Sequence, residues 1–103
     1  MVLINEVSAS ASEVLAAALN EQLNAPLIGT TTYGKGTVQK TKELTDGSLI
    51  KYTIETWKTS KGNSIDKVGI KPTIKIEQNN NYYKTGKDKD DVQLQKAIET
   101  LNK

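Results

Sequence analysis

Two hydrophobic rhythms divide this chain, and the switch between them limits its fold more than any other feature. Val14, Leu15, Ala18, Leu19 and Leu23 recur at helical spacing behind Ser10-Ala11-Ser12-Glu13, a tetrapeptide with the form of a capping box. Further on, Ile50, Tyr52 and Ile54 alternate with Lys51, Thr53 and Glu55, the period of a strand with one buried face. A chain carrying both must pack helix against sheet, so the fold class is α/β. The helical stripe predicts an amphipathic helix over residues 10–22 or so, entered from a short strand, Val2-Leu3-Ile4, and stopped near Asn24. Pro26-Leu27-Ile28 reads as a second short strand, and residues 29–36 as a Gly/Thr-rich loop. Thr45-Asp46-Gly47 between Thr37–Leu44 and Ser48–Trp57 is a hairpin signal. Residues 60–63 form another turn. Residues 68–77 read as strand-like, with Pro72 marking an edge or a bend. The Asn-, Lys- and Asp-rich stretch 78–90 reads as a solvated loop, and Asp91 introduces a last helix with Leu94, Ala97, Ile98 and Leu101 on one face.

Composition narrows the chemistry. With 103 residues the chain makes one domain or part of one, and 25% charged residues make it too polar for a spanning segment. The 14 basic residues are all lysine and the net charge is only +2, so the bidentate arginine contacts of nucleic-acid recognition are missing and no nucleic-acid partner is expected. Cysteine and histidine are both absent. That removes thiolate nucleophiles, imidazole bases and the usual zinc ligands together, and leaves Lys, Asp, Glu and Tyr for any acid–base work. No metal or cofactor is expected.

Two places could hold chemistry. Ser8, Ser10 and Ser12 lie between a strand and a helix, where free N–H groups and the positive end of the helix dipole can stabilise an oxyanion. By pattern alone Ser10 is first of all an N-cap, with Glu13 completing the box. The second place is Gly34-Lys35-Gly36, a lysine between two residues that let the backbone bend tightly. Gly29, Gly34 and Lys35 nearly spell a phosphate-binding loop, but Gly36 stands where the hydroxyl residue should be, and Thr37-Val38-Gln39 looks like strand rather than helix.

The ordered combination of these motifs resembles the C-terminal processing, or tail-specific, serine peptidases of bacteria and chloroplasts. That family's nucleophile motif, Gly-Ser/Thr-Ala-Ser-Ala-Ser-Glu, is matched by Val7-Ser8-Ala9-Ser10-Ala11-Ser12-Glu13. Its lysine motif, Phe/Tyr-Gly-Lys-Gly followed by a Gln, is matched by Tyr33-Gly34-Lys35-Gly36 and Gln39, and the interval from Ser10 to Lys35 fits as well. Asp46-Gly47-Ser48, Gly62, Gly69-Ile70-Lys71-Pro72 and Asp91-Val92-Gln93-Leu94 are similar to further landmarks. One departure is Val7 in place of the family's Gly, a β-branched residue that would be strained if the turn needs φ > 0 there. Another is the absence of the family's proline from Thr59-Ser60-Lys61-Gly62, which should touch only a turn.

The resemblance implies a crotonase/Clp-protease-like α/β core. Residues 1–78 would be the C-terminal part of the serine protease domain, and residues 79–103 a polar loop and terminal helix of the same domain. It implies a Ser-Lys dyad: Ser10 attacks the scissile carbonyl, Lys35 takes its proton, Gln39 orients Lys35, and the Ala11 N–H is one oxyanion donor. A serine hydrolase without histidine needs such a base. A lysine serves as base only when neutral, and lowering an amine from about 10.4 to about 7 takes roughly 4 to 5 kcal/mol of differential solvation, so an apolar pocket is expected around it. Implied partners are protein or peptide substrates cut near their C-termini. The parent is expected to be membrane-associated and outside the cytoplasm, with a PDZ domain upstream, and homo-oligomers are possible. The rival readings are an inert interaction fragment or degenerate homologue, and a phosphate-binding module built on Gly29 to Lys35.

Overall fold

The computed structural model describes residues 1–103. Val2–Ile4 (β1) leads through a turn into helix Ala11–Leu23 (α1), which returns to Leu27–Gly29 (β2). β1 and β2 pair in parallel, with Val2 opposite Leu27 and Ile4 opposite Gly29. A third parallel strand, Ile74–Lys75 (β5), lies on the far side of β2. Between β2 and β5 the chain makes an antiparallel hairpin of Thr37–Glu43 (β3) and Leu49–Thr56 (β4), which pair only with each other. After β5 come two short helical turns, Asn80–Thr85 (α2) and the 3-10 turn Asp88–Asp90, and then helix Val92–Leu101 (α3).

The core sits where α1 crosses the parallel sheet. Ile4, Ala16 and Leu27 form its buried cluster, with Val2 and Ile70 packed against it. Strand alternation sends Val2, Ile4 and Leu27 to the α1 side and Leu3 and Ile28 to the other. Ile28 is fully buried, and α3 lies against β1 and β2. The hairpin lies outside this core. Every residue of β4 is exposed, as is β3 beyond Val38. The radius of gyration is 17.1 Å, against about 13 Å for a compact chain of this length. No helix is long and apolar enough to cross a membrane.

Three segments depart from expectation. Residues 78–90 are not a plain loop: the Asn79 side chain accepts the Tyr82 N–H at 2.9 Å and Gly86, at φ 61°, closes the turn of α2. Asparagine is both a loop former and a helix cap, and composition cannot separate the roles. Of the strand-like run 68–77 only Ile74–Lys75 pairs, because the N–H groups of Val68 and Gly69 both turn back to the Ile65 carbonyl. Gly29, read as loop, ends β2 instead, and Pro26 stays outside it.

Candidate active site

The turn between β1 and α1 is built by Asn5. Its carbonyl accepts the Ser8 N–H at 2.9 Å, its side chain accepts the Val7 N–H at 3.1 Å, and its own N–H goes to Ser8 Oγ at 3.1 Å. Val7 keeps negative φ and is exposed. The positive φ falls instead on Ser10, at φ 57° and ψ −121°. A non-glycine residue held there costs on the order of 1–3 kcal/mol, strain that must be over-determined by its surroundings. Ser10 thus sits on a sharp, strained turn between a strand and a helix, an order of elements shared with nucleophile elbows.

The capping box forms with its roles redistributed. Glu13 reaches back to accept the Ser10 N–H at 2.8 Å. The Glu13 N–H, toward which the Ser10 hydroxyl is arranged as in a box, gives its bond to the Ser10 carbonyl at 2.9 Å, so the hydroxyl itself makes no capping hydrogen bond. The Ala11 N–H, at the first position of α1, has no acceptor within the chain. A half-buried serine with an unengaged hydroxyl thus stands beside a free amide at the positive end of a helix.

The lysine loop is fastened to the same carboxylate. Glu13 is fully buried. Its Oε2 accepts the Lys35 N–H at 3.0 Å as well as that of Ser10, and its Oε1 accepts the Gly34 N–H at 2.6 Å and the Thr32 hydroxyl. Burial raises the carboxyl pKa, but the bonds from Thr32, Gly34, Ser10 and Lys35 outweigh it and hold the group below its ordinary value. The two glycines around Lys35 have steric reasons: Gly34 sits at φ 87°, and a Cβ on Gly36 would lie 2.4 Å from the Asp66 backbone N. Tyr33 N–H adds a bond to the Ser8 carbonyl at 2.9 Å, and Lys67 N–H one to the Gly34 carbonyl at 2.7 Å.

The backbones of Ser10 and Lys35 are therefore brought together on one carboxylate oxygen, without a hydrogen bond between their side chains. Lys35 and Gln39 are exposed, and no hydrogen bond joins either side chain to the other or to the Ser10 hydroxyl. The apolar pocket expected around Lys35 is not formed by this chain. The β3–β4 register shifts between Val38 and Gln39. The phosphate-loop reading loses its donors, since the amides of Gly34 and Lys35 already serve Glu13 and the strand β3 follows rather than a helix. Reading Glu13 only as a cap missed its part in the site. The signal was present, an acid fixed at the third helical position of the serine motif, but its partners in the lysine loop are remote in sequence. An open cavity of ≈ 480 Å³ lies elsewhere, between α1 and residues 59–71, and none of Ser10, Lys35 or Gln39 lines it.

The model of peptidase family S41 matches residues 1–76. Over 77 residues the chain is 56% identical to a protein named carboxy-terminal processing protease CtpA from Bacillus subtilis (strain 168), an alignment covering 75% of this chain and 16% of that protein. Among solved structures it is similar to a photosystem II D1 C-terminal processing protease, with TM-score 0.70 and 39% identity over 74% of this chain and 20% of the other. It is similar also to the tricorn protease, with TM-score 0.77 and 26% identity over 97% of this chain and 10% of the other. The chain spans only a small part of the length of the relatives it matches.

Proposed function

The chain belongs to peptidase family S41, among the C-terminal processing proteases, and from that premise we propose that its parent protein is a serine endopeptidase with Ser10 as nucleophile and Lys35 as general base. The observation that carries the reading is Ser10 itself: strained at φ 57°, its hydroxyl unengaged, and tied through Glu13 to the backbone of Lys35. In this mechanism Ser10 Oγ attacks the scissile carbonyl carbon while the neutral Lys35 amine takes the hydroxyl proton. The oxyanion is met by the Ala11 N–H and the positive end of α1. Lys35 then gives the proton to the leaving amine, and water, deprotonated by the same amine, hydrolyses the acyl-enzyme. Gln39 orients Lys35 once the hairpin is pressed against the site.

Residues 1–78 are the C-terminal part of the protease domain in this reading, and residues 79–103 close the same domain. The substrates are proteins cut near their C-termini, as the name of the Bacillus relative suggests. The parent works outside the cytoplasm and at a membrane. The isolated chain has little or no activity, because it supplies the Ala11 N–H as one oxyanion donor while family resemblance assigns a second to the upstream half of the domain, and loss of one such donor costs about 10²–10³ in rate. The test is to assay the isolated chain and the parent side by side on an unfolded protein, with labelling by a fluorophosphonate. Cleavage and labelling by the parent, abolished in Ser10→Ala, are expected. A parent that labels elsewhere than Ser10, or an isolated chain as active as the parent, would overturn the reading.

A further inference from the structure

Glu13 and Thr32 are the polar side chains buried in this chain, and they touch each other. Burying a carboxylate is costly, and well-packed apolar replacements of buried ions are often neutral or stabilising, so a core demand alone does not account for Glu13. Its hydrogen-bond donors do. All come from the nucleophile turn and the lysine loop, and a single oxygen, Oε2, holds the backbone N–H groups of both Ser10 and Lys35, at 2.8 and 3.0 Å. Thr32 extends the tie, since its hydroxyl donates to Glu13 Oε1 and accepts the Ile70 N–H at 2.7 Å, on the segment that leads into β5.

We propose that Glu13 is a positioning residue of the peptidase reaction: its carboxylate sets the separation of the nucleophile turn and the lysine loop, and by engaging the Ser10 N–H it leaves the Ala11 N–H as the oxyanion donor of this turn. The proposal rests on the Ser10–Lys35 reading above. A carboxylate suits the task because it is acceptor-only, with lone pairs for four donors. Glutamine would aim its own N–H groups at two of them. Glu13 does not touch the reacting atoms; it acts through the backbones that carry them.

The test uses the full parent protein and measures kcat and KM on a peptide substrate, at temperatures where each variant keeps the wild-type circular dichroism spectrum. Glu13→Gln is expected to lower kcat by about 10²-fold with KM within about threefold, as misplacement by roughly an ångström does. Thr32→Val should lower kcat about tenfold, and Thr32→Ser, which keeps the hydroxyl, should recover most of that loss. These two decide the matter if Glu13→Gln does not fold. Wild-type kcat in folded Glu13→Gln, an effect confined to KM, or a Thr32→Ser no better than Thr32→Val would overturn the proposal. Ser10→Ala runs as the control: activity surviving there would sink the Ser10 reading itself, whereas a dead Ser10→Ala beside a fully active Glu13→Gln would sink only the role of Glu13.

Discussion

The turn that carries Ser10 and the hairpin that carries Gln39 are both near Lys35 in sequence or space, yet they are held in opposite ways. The Glu13 carboxylate binds the Ser10 N–H on its own turn and, from 21 and 22 positions along the chain, the N–H groups of Gly34 and Lys35, and the strained φ of Ser10 persists within those bonds. The hairpin is held by its own ladder, with Leu49, Ile50, Tyr52, Ile54 and Trp57 all exposed. An isolated two-stranded hairpin is marginal at best in water. Its one tie to α1 is the Glu21 carboxylate, which accepts the Ser60 hydroxyl and the Lys61 N–H in the turn beyond β4. Precision at the Ser10 turn thus comes from a buried carboxylate that joins remote segments, and the exposed hairpin lacks such bonds.

The sharpest test of that contrast is chemical. In the parent protein Lys35→Arg should be nearly as damaging as Lys35→Ala, about 10³-fold or more in kcat, because a guanidinium keeps its proton. Gln39→Ala, which on the proposed mechanism removes only an orienting group on the hairpin, should cost less, about tenfold. Peptide cleavage rates decide it, and a Lys35→Arg enzyme within tenfold of wild type would remove Lys35 from the base role.

Stability should divide along the same line. Ile28→Ala in the buried sheet is expected to cost about 2–5 kcal/mol in the isolated chain, against less than about 0.5 kcal/mol for Ile54→Ala on the exposed hairpin. Urea unfolding followed by circular dichroism measures both. Equal costs would show that the hairpin is as tightly packed as the core and break the comparison.

The smallest effect is an acid one at the tie between the regions. The Ser60 hydroxyl first, with Thr59, Lys61 N–H and Asn63, lowers the Glu21 carboxyl to about 2. A carboxylate whose folded pKa is depressed stabilises the fold above its unfolded value, and that contribution disappears as pH falls through the folded one. The hairpin base should therefore loosen between about pH 4.5 and about 2, and solvent screening keeps the effect small because Glu21 lies at the surface. Trp57, the sole tryptophan, sits at that base and its emission should report the change. In Glu21→Gln this transition should vanish. Its persistence there would assign it to another carboxylate, Glu13 first, whose pKa is also lowered.

Much of the fold was legible because it rests on local signals. The stripe Val14 to Leu23 and the cap at Ser10 foretold α1 to within a residue at either end, and Asp46-Gly47 foretold the hairpin. The misses share a cause. Residues 78–90 hid α2 because asparagine serves loops and caps alike, and residues 68–77 looked like a strand because Val68, Ile70, Ile74 and Ile76 are strand formers whose pairing depends on what lies beside them.

The candidate site shows the same division. The amino-acid order by itself determined the inventory: this chain has no histidine or cysteine, it places Ser10 before a helix and Lys35 between two glycines, and it leaves Lys, Asp, Glu and Tyr as its acid–base groups. Only the tertiary structure decided that the strain falls on Ser10 rather than Val7, that Glu13 turns from a cap into a bond shared by Ser10 and Lys35, and that Lys35 and Gln39 stay exposed. Capping and periodicity are set by neighbours a turn apart. A buried carboxylate's partners and a lysine's solvation are set by residues from distant parts of the chain, and no local pattern records them.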